Sequence, residues 1–467
     1  MIRRYYATKD NTITNAFDEN LQTRGTGSNM GASDILETFS IYGQASSASV
    51  ELTRFLIQFD TDQLGSDRTA SKLPSAGNVS FFLKLYNAPH SQTTPSNFDL
   101  TISAVSQSWQ EGYGLDMDFY EDITRDGIGS NWINAASGTT WTAQGGDYHA
   151  SPKFTQTFST GLEDLEVNVT SLVEEWLAGT KGNDGFGIKL ADALEATNRS
   201  FFRKKFFARD SEFFFAKPVI EARWDSARKD DRGNFYASSS LAPALDNLNS
   251  LYLYNSIRGR LRNIPSLGSN DIYVDLYDSI GGTKLTGSFT GSVDATGIYK
   301  CDVQIATTAS TIYDVWFSGS TQYHTGTISV EQFGSSDYSP ENTRVLSMPG
   351  LRSEYRKNQT HRLNLYARAK NWSPNIYTRA VQSSIPSLVF ESSSYQIRRS
   401  IDDYVVVPYG TGSTMHTGLS FDVSGNYFDL DTTYLEAGYL YDIQYSFYDE
   451  ENGWEEQPYK FKFRVVN

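Results

Sequence analysis

Cysteine is almost missing from this chain. Cys301 is the one thiol in 467 residues, so no intrachain disulfide framework can form. It sits in the alternating run Gly297-Ile-Tyr-Lys-Cys-Asp-Val303 and reads as a small core residue, because free cysteine is among the most buried residue types. Histidine is sparse: His90, His149, His324, His361 and His416 are scattered, with no His-x-His or His-Glu-x-x-His spacing. That argues against a transition-metal site. Gly-x-Ser-x-Gly and Walker-type loops are also missing. No apolar run reaches the roughly 18 residues a membrane helix needs, so no membrane insertion is expected. The start, Met1-Ile-Arg-Arg-Tyr-Tyr6, lacks the apolar core of a secretory signal. Basic residues are outnumbered 40 to 55, for a net charge of −15. A phosphate-tracking nucleic-acid binder wants a basic face, so no nucleic-acid partner is expected.

Aromatic residues are abundant, with 29 Tyr and 28 Phe. They recur in short runs that suit pleated, half-buried surfaces, separated by Gly, Ser, Thr and Asn. The expectation is an all-β chain. Arg54-Phe-Leu-Ile-Gln-Phe-Asp60 reads as a strand buried on both faces. In Val79–Tyr86, Phe81, Leu83 and Leu85 alternate with Ser80, Phe82 and Lys84, a period of two. Thr170-Ser-Leu-Val-Glu-Glu-Trp-Leu177 breaks that period: Leu172, Val173, Trp176 and Leu177 share one face of a short helix. Thr170 or Ser171 with Glu174 nearly makes a capping box, and Gly179 supplies the stop.

Several pieces of the first half occur in a telling order. They are Thr8-Lys-Asp-Asn-Thr12, Asn29-Met-Gly31, Arg54–Asp60, Leu83–Tyr86, Trp109-Gln-Glu-Gly112 and Thr139-Thr-Trp141. Then follow Val167-Asn-Val-Thr170 with Trp176, Gly185-Phe-Gly-Ile188, Phe206-Phe-Ala-Arg-Asp210 and Pro218-Val-Ile-Glu221. The set resembles the DNRLRE (disaggregatase-related) β-sandwich module over residues 1–226. Ala208 stands where that pattern has serine, and Leu115 to Asn134 reads as an insertion. The resemblance implies a jelly-roll or β-sandwich with Arg54, Phe59, Trp109 and Trp176 in structural roles, and it implies binding or assembly without catalysis.

Residues 227–250 are polar, charged at Arg228-Lys-Asp-Asp-Arg232 and Ser-rich at 238–240, and read as a linker. Alternating runs then recur over 251–335, at the spacing of an immunoglobulin-like sandwich. Gly297-Ile-Tyr299-Lys-Cys301 is an architectural analogue of that fold's tyrosine corner. A further set over 336–467 predicts a second such sandwich, closed by Tyr459–Val465.

No catalytic residues and no cofactor are expected. Asp60/Asp62, Asp116/Asp118 and Asp429/Asp431 are Asp-x-Asp pairs without the full calcium-loop spacing. They read as solvated loop carboxylates, and structural calcium stays open as the alternative. Arg199, Arg203, Lys204, Lys205 and Arg209 interleave with Phe201, Phe202, Phe206 and Phe207. This stripe reads either as a strand with basic residues outside or as a docking edge for an acidic partner, where charge complementarity sets register. Tyr5, Tyr6, Tyr113, Tyr120 and Tyr148 are the remaining interface candidates, since tyrosine is enriched at interfaces. The layout resembles structural proteins of tailed phages: head decoration, neck, fibre or baseplate-peripheral components. That implies a virion protein made in the host cytoplasm and released by lysis, oligomeric, with other virion proteins as partners. The alternative is a carbohydrate-binding adhesin for a host surface glycan.

Overall fold

The computed structural model describes residues 1–42, 50–89, 95–116, 128–197, 199–267, 271–333, 343–370, 372, 375–377, 387–410, 414–449 and 452–467. The chain is all-β and divides into two compact units, Ile2–Trp224 and Asp225–Asn467, the second with Met1.

The first unit contains β1 (Ile2–Thr14), β2 (Ile35–Tyr42), β3 (Val50–Phe59), α1 (Thr61–Thr69), β4 (Ser80–Leu85) and β5 (Phe98–Val105). A small hairpin, β6 (Asn134–Ala136) and β7 (Thr139–Thr140), precedes β8 (Tyr148–Phe158), β9 (Leu165–Asn168), α2 (Thr170–Leu177), β10 (Phe186–Leu190), α3 (Asp192–Glu195), β11 (Phe201–Phe207) and β12 (Val219–Arg223). β1 serves two sheets. Its first half pairs with β12 (Arg4 opposite Glu221) and its second half with β3 (Thr12 opposite Phe55), with a register shift between Ala7 and Lys9. One layer is therefore β1-β12-β4-β9. The other is β8-β5-β10-β3-β1, with β2 paired to β3 and β11 to β2. The core between them holds Phe55 and Ile57 of β3 and Phe81, Leu83 and Leu85 of β4, all fully buried, while Leu56 points to the other face of β3 and packs against Trp109, Trp132 and Trp141.

The period change at 170–177 is a helix, as expected, and Gly179 ends it at φ +69°. The capping box is not made. Thr170 Oγ1 accepts from Phe81 N–H and donates to Asn168 Oδ1, while Glu174 receives both terminal nitrogens of Arg68 at 2.6 and 2.7 Å. Contacts to β4 and α1 outcompete the local cap. Trp176 is buried, edge-on to Phe186 at 4.8 Å.

The second unit carries two sandwiches with one strand logic. The first has β13 (Phe235–Tyr236), β14 (Asn249–Tyr254), a hairpin of β15 (Ser256–Ile257) and β16 (Arg260–Leu261), β17 (Ile272–Tyr277), β18 (Phe289–Ala295), β19 (Ile298–Val303), β20 (Thr311–Ser318) and β21 (Thr321–Glu331). The second has β22 (Arg344–Ser347), β23 (Glu354–Arg356), β24 (Thr360–Ala369), β25 (Ser393–Arg399), β26 (Tyr404–Val407), β27 (Ser420–Asp422), β28 (Gly425–Asp431), β29 (Leu440–Asp449), β30 (Gly453–Glu456) and β31 (Phe461–Val466). In each, a short early strand lies parallel to the last one: β13 on β21 and β23 on β31. The last strand pairs with a long antiparallel strand that in turn pairs with a central one, giving β21-β20-β17 and β31-β29-β25, with the short β30 paired to the other end of β29. In the first sandwich β17 also pairs with β18, so that one seven-stranded sheet continues into the opposite layer β18-β19-β14, whereas in the second the opposite layer is the separate sheet β22-β24-β28-β27. These are the two layers of an immunoglobulin-like sandwich. Cys301 is buried and free, and burial pushes its thiol up to about 12. Tyr299 is buried in β19, and its hydroxyl accepts from Ile264 N–H at 2.7 Å.

The segment read as a linker instead staples both sandwiches of this unit. Asp230 N–H donates to Phe421 O, and Phe421 N–H donates to Arg228 O. Arg228 Nε reaches Asp294 at 2.8 Å, and Arg232 grips Asp314 with both terminal nitrogens at 2.6 and 2.7 Å. Its charges made it look solvated, but they answer carboxylates of the packed strands.

Two outcomes follow from this packing. Trp176→Ala should cost roughly 3–5 kcal/mol by emptying the space under α2, read as a shift in the urea midpoint. Burial raises the carboxyls of Asp230 to about 6 and Asp231 to about 7. Their folded values exceed the ordinary 3.8, so their contribution is complete when protonated and is lost as pH climbs from that value to about 7. Lys229, Arg232, Asp422 and Glu391 surround them. Urea unfolding from pH 4 to 8 should show the loss, and Asp231→Asn should flatten it.

Candidate binding groove of the N-terminal unit

Pieces of sequence about a hundred residues apart converge on one knot. Asn29 Nδ2 donates to Glu111 O at 2.7 Å and Ser130 O at 2.9 Å, while Oδ1 accepts from Gly31 and Gly114 N–H. Asn11 reaches Ser130 from β1, and its Oδ1 takes Met30 N–H. Asp10 Oδ2 accepts Arg209 N–H at 2.6 Å, its own N–H donates to Glu111 Oε1, and Arg209 Nε pairs with Glu111 at 3.2 Å. Burial raises the Asp10 carboxyl to about 7. The glycines here are obligatory. A Cβ on Gly112 (φ +81°) would lie 2.4 Å from Asn29 Oδ1, and one on Gly129 (φ +91°) 2.4 Å from its Nδ2. Beside the knot, Trp109, Trp132 and Trp141 are buried. Arg54 lies 5.1 Å over the Trp132 ring and holds Glu195 at 2.7 and 3.0 Å. Phe59 is buried against Phe186. Phe59, Trp109 and Trp176 are buried, and Arg54 is half-buried.

The knot fixes one wall of a groove of about 730 Å³. Its floor is the outer face of β11-β2-β3-β1: Arg203 and Lys205, then Glu37, Phe39 and Ile41, then Glu51 and Thr53, then Thr12 and Thr14. The wall is the 16–35 segment with Leu115 and Asp116. Asp116 Oδ2 accepts Asn29 N–H at 2.9 Å. Glu51 is 6% exposed; its Oε2 accepts Phe17 N–H, and its Oε1 is buried with no hydrogen-bond partner among the described residues. Burial raises this carboxyl above its ordinary range. Nothing in the sequence marked Glu51; its position beside the 16–25 turn is a tertiary fact.

The basic stripe divides by strand period. Lys204 is a correction: it points into the core, where Nζ donates to Asn87 Oδ1, Gly161 O and Glu163 O at 2.7–2.9 Å, 5.0 Å from the Phe158 and Phe206 rings. Burial lowers its amine to about 8. Arg203 and Lys205 point out and both pair with Glu37 across β2, and Arg199 is exposed. The tyrosines divide too. Tyr5 and Tyr148 are corrections: Tyr5 is buried with its hydroxyl on Asp67 at 3.0 Å, and Tyr148 donates to Gly145 O while its ring packs on Gly187. Tyr6 is half-buried, 5.8 Å from Phe214. Tyr113 is 61% exposed. Tyr120 lies outside the described residues, as does Asp118. Of the Asp-x-Asp pairs, Asp60 caps α1, Asp429 pairs with Arg362, and Asp431 accepts Thr433 N–H.

No family model matches this chain, and no curated protein matches it. Among solved structures it is similar to the adhesin InvE of Yersinia pseudotuberculosis, at 12% identity and TM-score 0.16, over 50% of this chain and 56% of that one. It is similar to the Ig1-2 module of the Drosophila receptor protein tyrosine phosphatase DLAR, at 11% identity and TM-score 0.15, over 47% of this chain and 91% of that one. The native Escherichia coli alpha-2-macroglobulin matches at 10% identity and TM-score 0.16, over 94% of this chain and 20% of that one. The chain thus spans little more than half of InvE. Scores of this size carry no functional argument.

Lys204→Met keeps volume but strands two carbonyls and an amide oxygen. It should destabilise the unit by about 2–4 kcal/mol, whereas Lys205→Met, on the outer face, should stay within about 1 kcal/mol. Paired thermal melts distinguish the two.

Proposed function

We propose that this chain is a structural protein of a tailed-phage virion: a head-decoration, neck, fibre or baseplate-peripheral component that acts by protein–protein assembly and not by catalysis. The observation that carries the reading is the loop after β13. Leu241 is 94% exposed, Leu245 79% and Leu248 41%, with Pro243 and Ala244 exposed between them. Scattered surface leucines are ordinary, but a contiguous apolar loop marks an interaction site. The acids of the N-terminal unit favour a non-catalytic role. Glu111, Glu174, Glu195 and Glu221 are each committed to an arginine. The DNRLRE resemblance of residues 1–226 is part of the same reading, as is assembly into homo-oligomers with other virion proteins.

A second reading, an adhesin that recognises host glycan, is favoured by one specific observation: a groove of about 730 Å³ whose floor carries Phe39 and Ile41 among polar side chains.

The assembly reading predicts an oligomer in solution and a place on purified particles. Light scattering after size-exclusion chromatography should return a multiple of 52.3 kDa, and the double variant Leu241→Asp/Leu245→Asp should shift it toward monomer with its melting temperature kept. Stable contacts of this kind bury on the order of 2,000 Å². A strict monomer that is absent from purified virions would defeat the reading.

A further inference from the structure

We propose that copies of this chain associate head to tail through two hairpins of the second unit: the arginine-rich β15–β16 ribbon of one copy lies on the aromatic and acidic β29–β30 hairpin of the next. This rests on the assembly reading and names a partner surface for it; the leucine loop is a separate contact.

The ribbon projects charge from a fixed base. Its strands pair Ser256 with Leu261 and Ile257 with Arg260, leaving Arg258 and Gly259 as a two-residue turn with φ +52° and +73°. Turns with positive φ at both central residues favour asparagine or glycine at the first, so the turn itself does not ask for arginine. Asn255 N–H donates to Gly297 O at 2.8 Å, Asn255 Nδ2 to Arg262 O at 2.6 Å, and Gly297 N–H to Asn263 Oδ1 at 2.6 Å, which pins the base. Arg258, Arg260 and Arg262 are all exposed, and none has an ion-pair or ring partner among the described residues. Elsewhere in this unit Arg228, Arg232, Arg362 and Arg399 each hold an aspartate. Ile257 and Leu261 are exposed beside the three arginines. A guanidinium fork matches a carboxylate, and the aliphatic neighbours suit a protein surface. The ribbon has no aromatic platform on which a nucleic-acid base could stack.

The β29–β30 hairpin is the complement. Tyr448 lies opposite Trp454 and Ser446 opposite Glu456, so Tyr448, Trp454 and Glu456 share one face. Tyr448 is 47% exposed and Trp454 37%, with their rings 5.7 Å apart and edge-on. Tyrosine, tryptophan and arginine are the residues that interfaces concentrate at their centres. Glu455 and Glu456 are exposed. One half-buried arginine, Arg344, serves both Asp449 and Glu455, at 3.7 and 3.9 Å, so the hairpin keeps net negative charge.

The same unit already holds a contact of this kind. Arg362 of β24 lies 4.1 Å over Tyr427 of β28 and pairs with Asp429, two residues on, at 3.2 Å. Trp454 and Glu456 repeat that spacing on β30, with no arginine over them among the described residues. Arg260 and Arg262, on one face of the ribbon with Ile257, supply the missing cations from a second copy. Because ribbon and hairpin are different surfaces, the contact is heterologous and propagates into a ring or a filament.

The test uses the full chain, with self-association read by light scattering over a concentration series and folding by melting curves. Arg258→Glu/Arg260→Glu/Arg262→Glu and, separately, Glu455→Arg/Glu456→Arg should each weaken association at least about tenfold, since like charges then meet face to face. An equimolar mixture of the two should restore it, because the intact ribbon of one variant meets the intact acidic hairpin of the other. Trp454→Ala should weaken association as well. Arg260→Cys with Glu456→Cys should give intermolecular disulfides on oxidation, visible as a ladder on a non-reducing gel, with Cys301 buried and silent. If a charge-reversed variant does not fold, Trp454→Ala and the cysteine pair carry the test. The inference is overturned if the mixture does not restore association, if no ladder forms, or if the triple variant loses only binding to a duplex DNA probe. An oligomer that persists in both folded variants overturns this contact and leaves the assembly reading standing; a wild-type monomer absent from virions overturns both.

Discussion

The loops of the N-terminal unit depend on the side chain of Asn29. One amide ties four backbone groups from three separate stretches: two carbonyls through Nδ2 and two N–H groups through Oδ1. Irregular segments inside a protein must place every buried N–H and C=O somewhere. Here a single residue does so for loops that have no sheet neighbour. The close approach of Gly31, Gly112 and Gly129 is the other half of the device, because any Cβ at those positions would overlap Asn29 or the Glu111 carbonyl. Without the knot, Met30 and Asp116 would have no fixed position, and the groove would lose its wall.

Charge in this unit is a device for register. Arg4, Lys84 and Arg223 surround Glu221, which is fully buried. Burial opposes ionisation of Glu221, but the three cations together hold its carboxyl well below the usual range. Removing one partner of such a group costs far more than the pair itself contributes. The cluster sits on β1, β12 and β4, whose pairing aligns Arg4 with Glu221. A one-residue slip would turn every side chain to the opposite face and strand those charges. The basic stripe of β11 obeys the same rule. Its outward members answer Glu37 and its inward member caps loop carbonyls, so a locally basic stretch in an acidic chain is explained within the unit.

What could be read from sequence was what local periodicity encodes. The strand at Arg54–Asp60, the alternation at Val79–Tyr86, the helix at Thr170–Leu177 and the burial of Cys301 are all visible at a range of a few residues. The Asn-x-Gly and Trp-x-Glu pieces could be seen as turns, but their mutual contact spans 82 residues and has no local signature. Lys204 shows the limit most sharply. The stripe Arg203-Lys-Lys205 alternates in space, so its middle residue had to face inward; three consecutive basic residues hid that period. The linker reading failed for a related reason. Charge in Arg228–Arg232 suggested solvent, whereas partners at Asp294 and Asp314 lie 66 and 82 residues away.

The two units use the same physics to different ends. In the second unit, parallel pairing of a short early strand with the last closes each sandwich, and a charged segment staples one sandwich to the other. Rigidity there is distributed, and the exposed leucines lie on a loop outside it. In the first unit, rigidity is concentrated in the Asn29 knot and the Arg54–Glu195 brace, immediately beside the groove. A binding surface needs its polar groups held before the ligand arrives, since ordering them on binding would subtract from affinity. Glu51 is held in this way, by the backbone N–H of Phe17 and by its place on β3 between β1 and β2. The wall and the floor of the groove are therefore both held by contacts that reach across the chain, from Asn29 to Glu111 and Ser130 on one side and along β2 and β3 on the other.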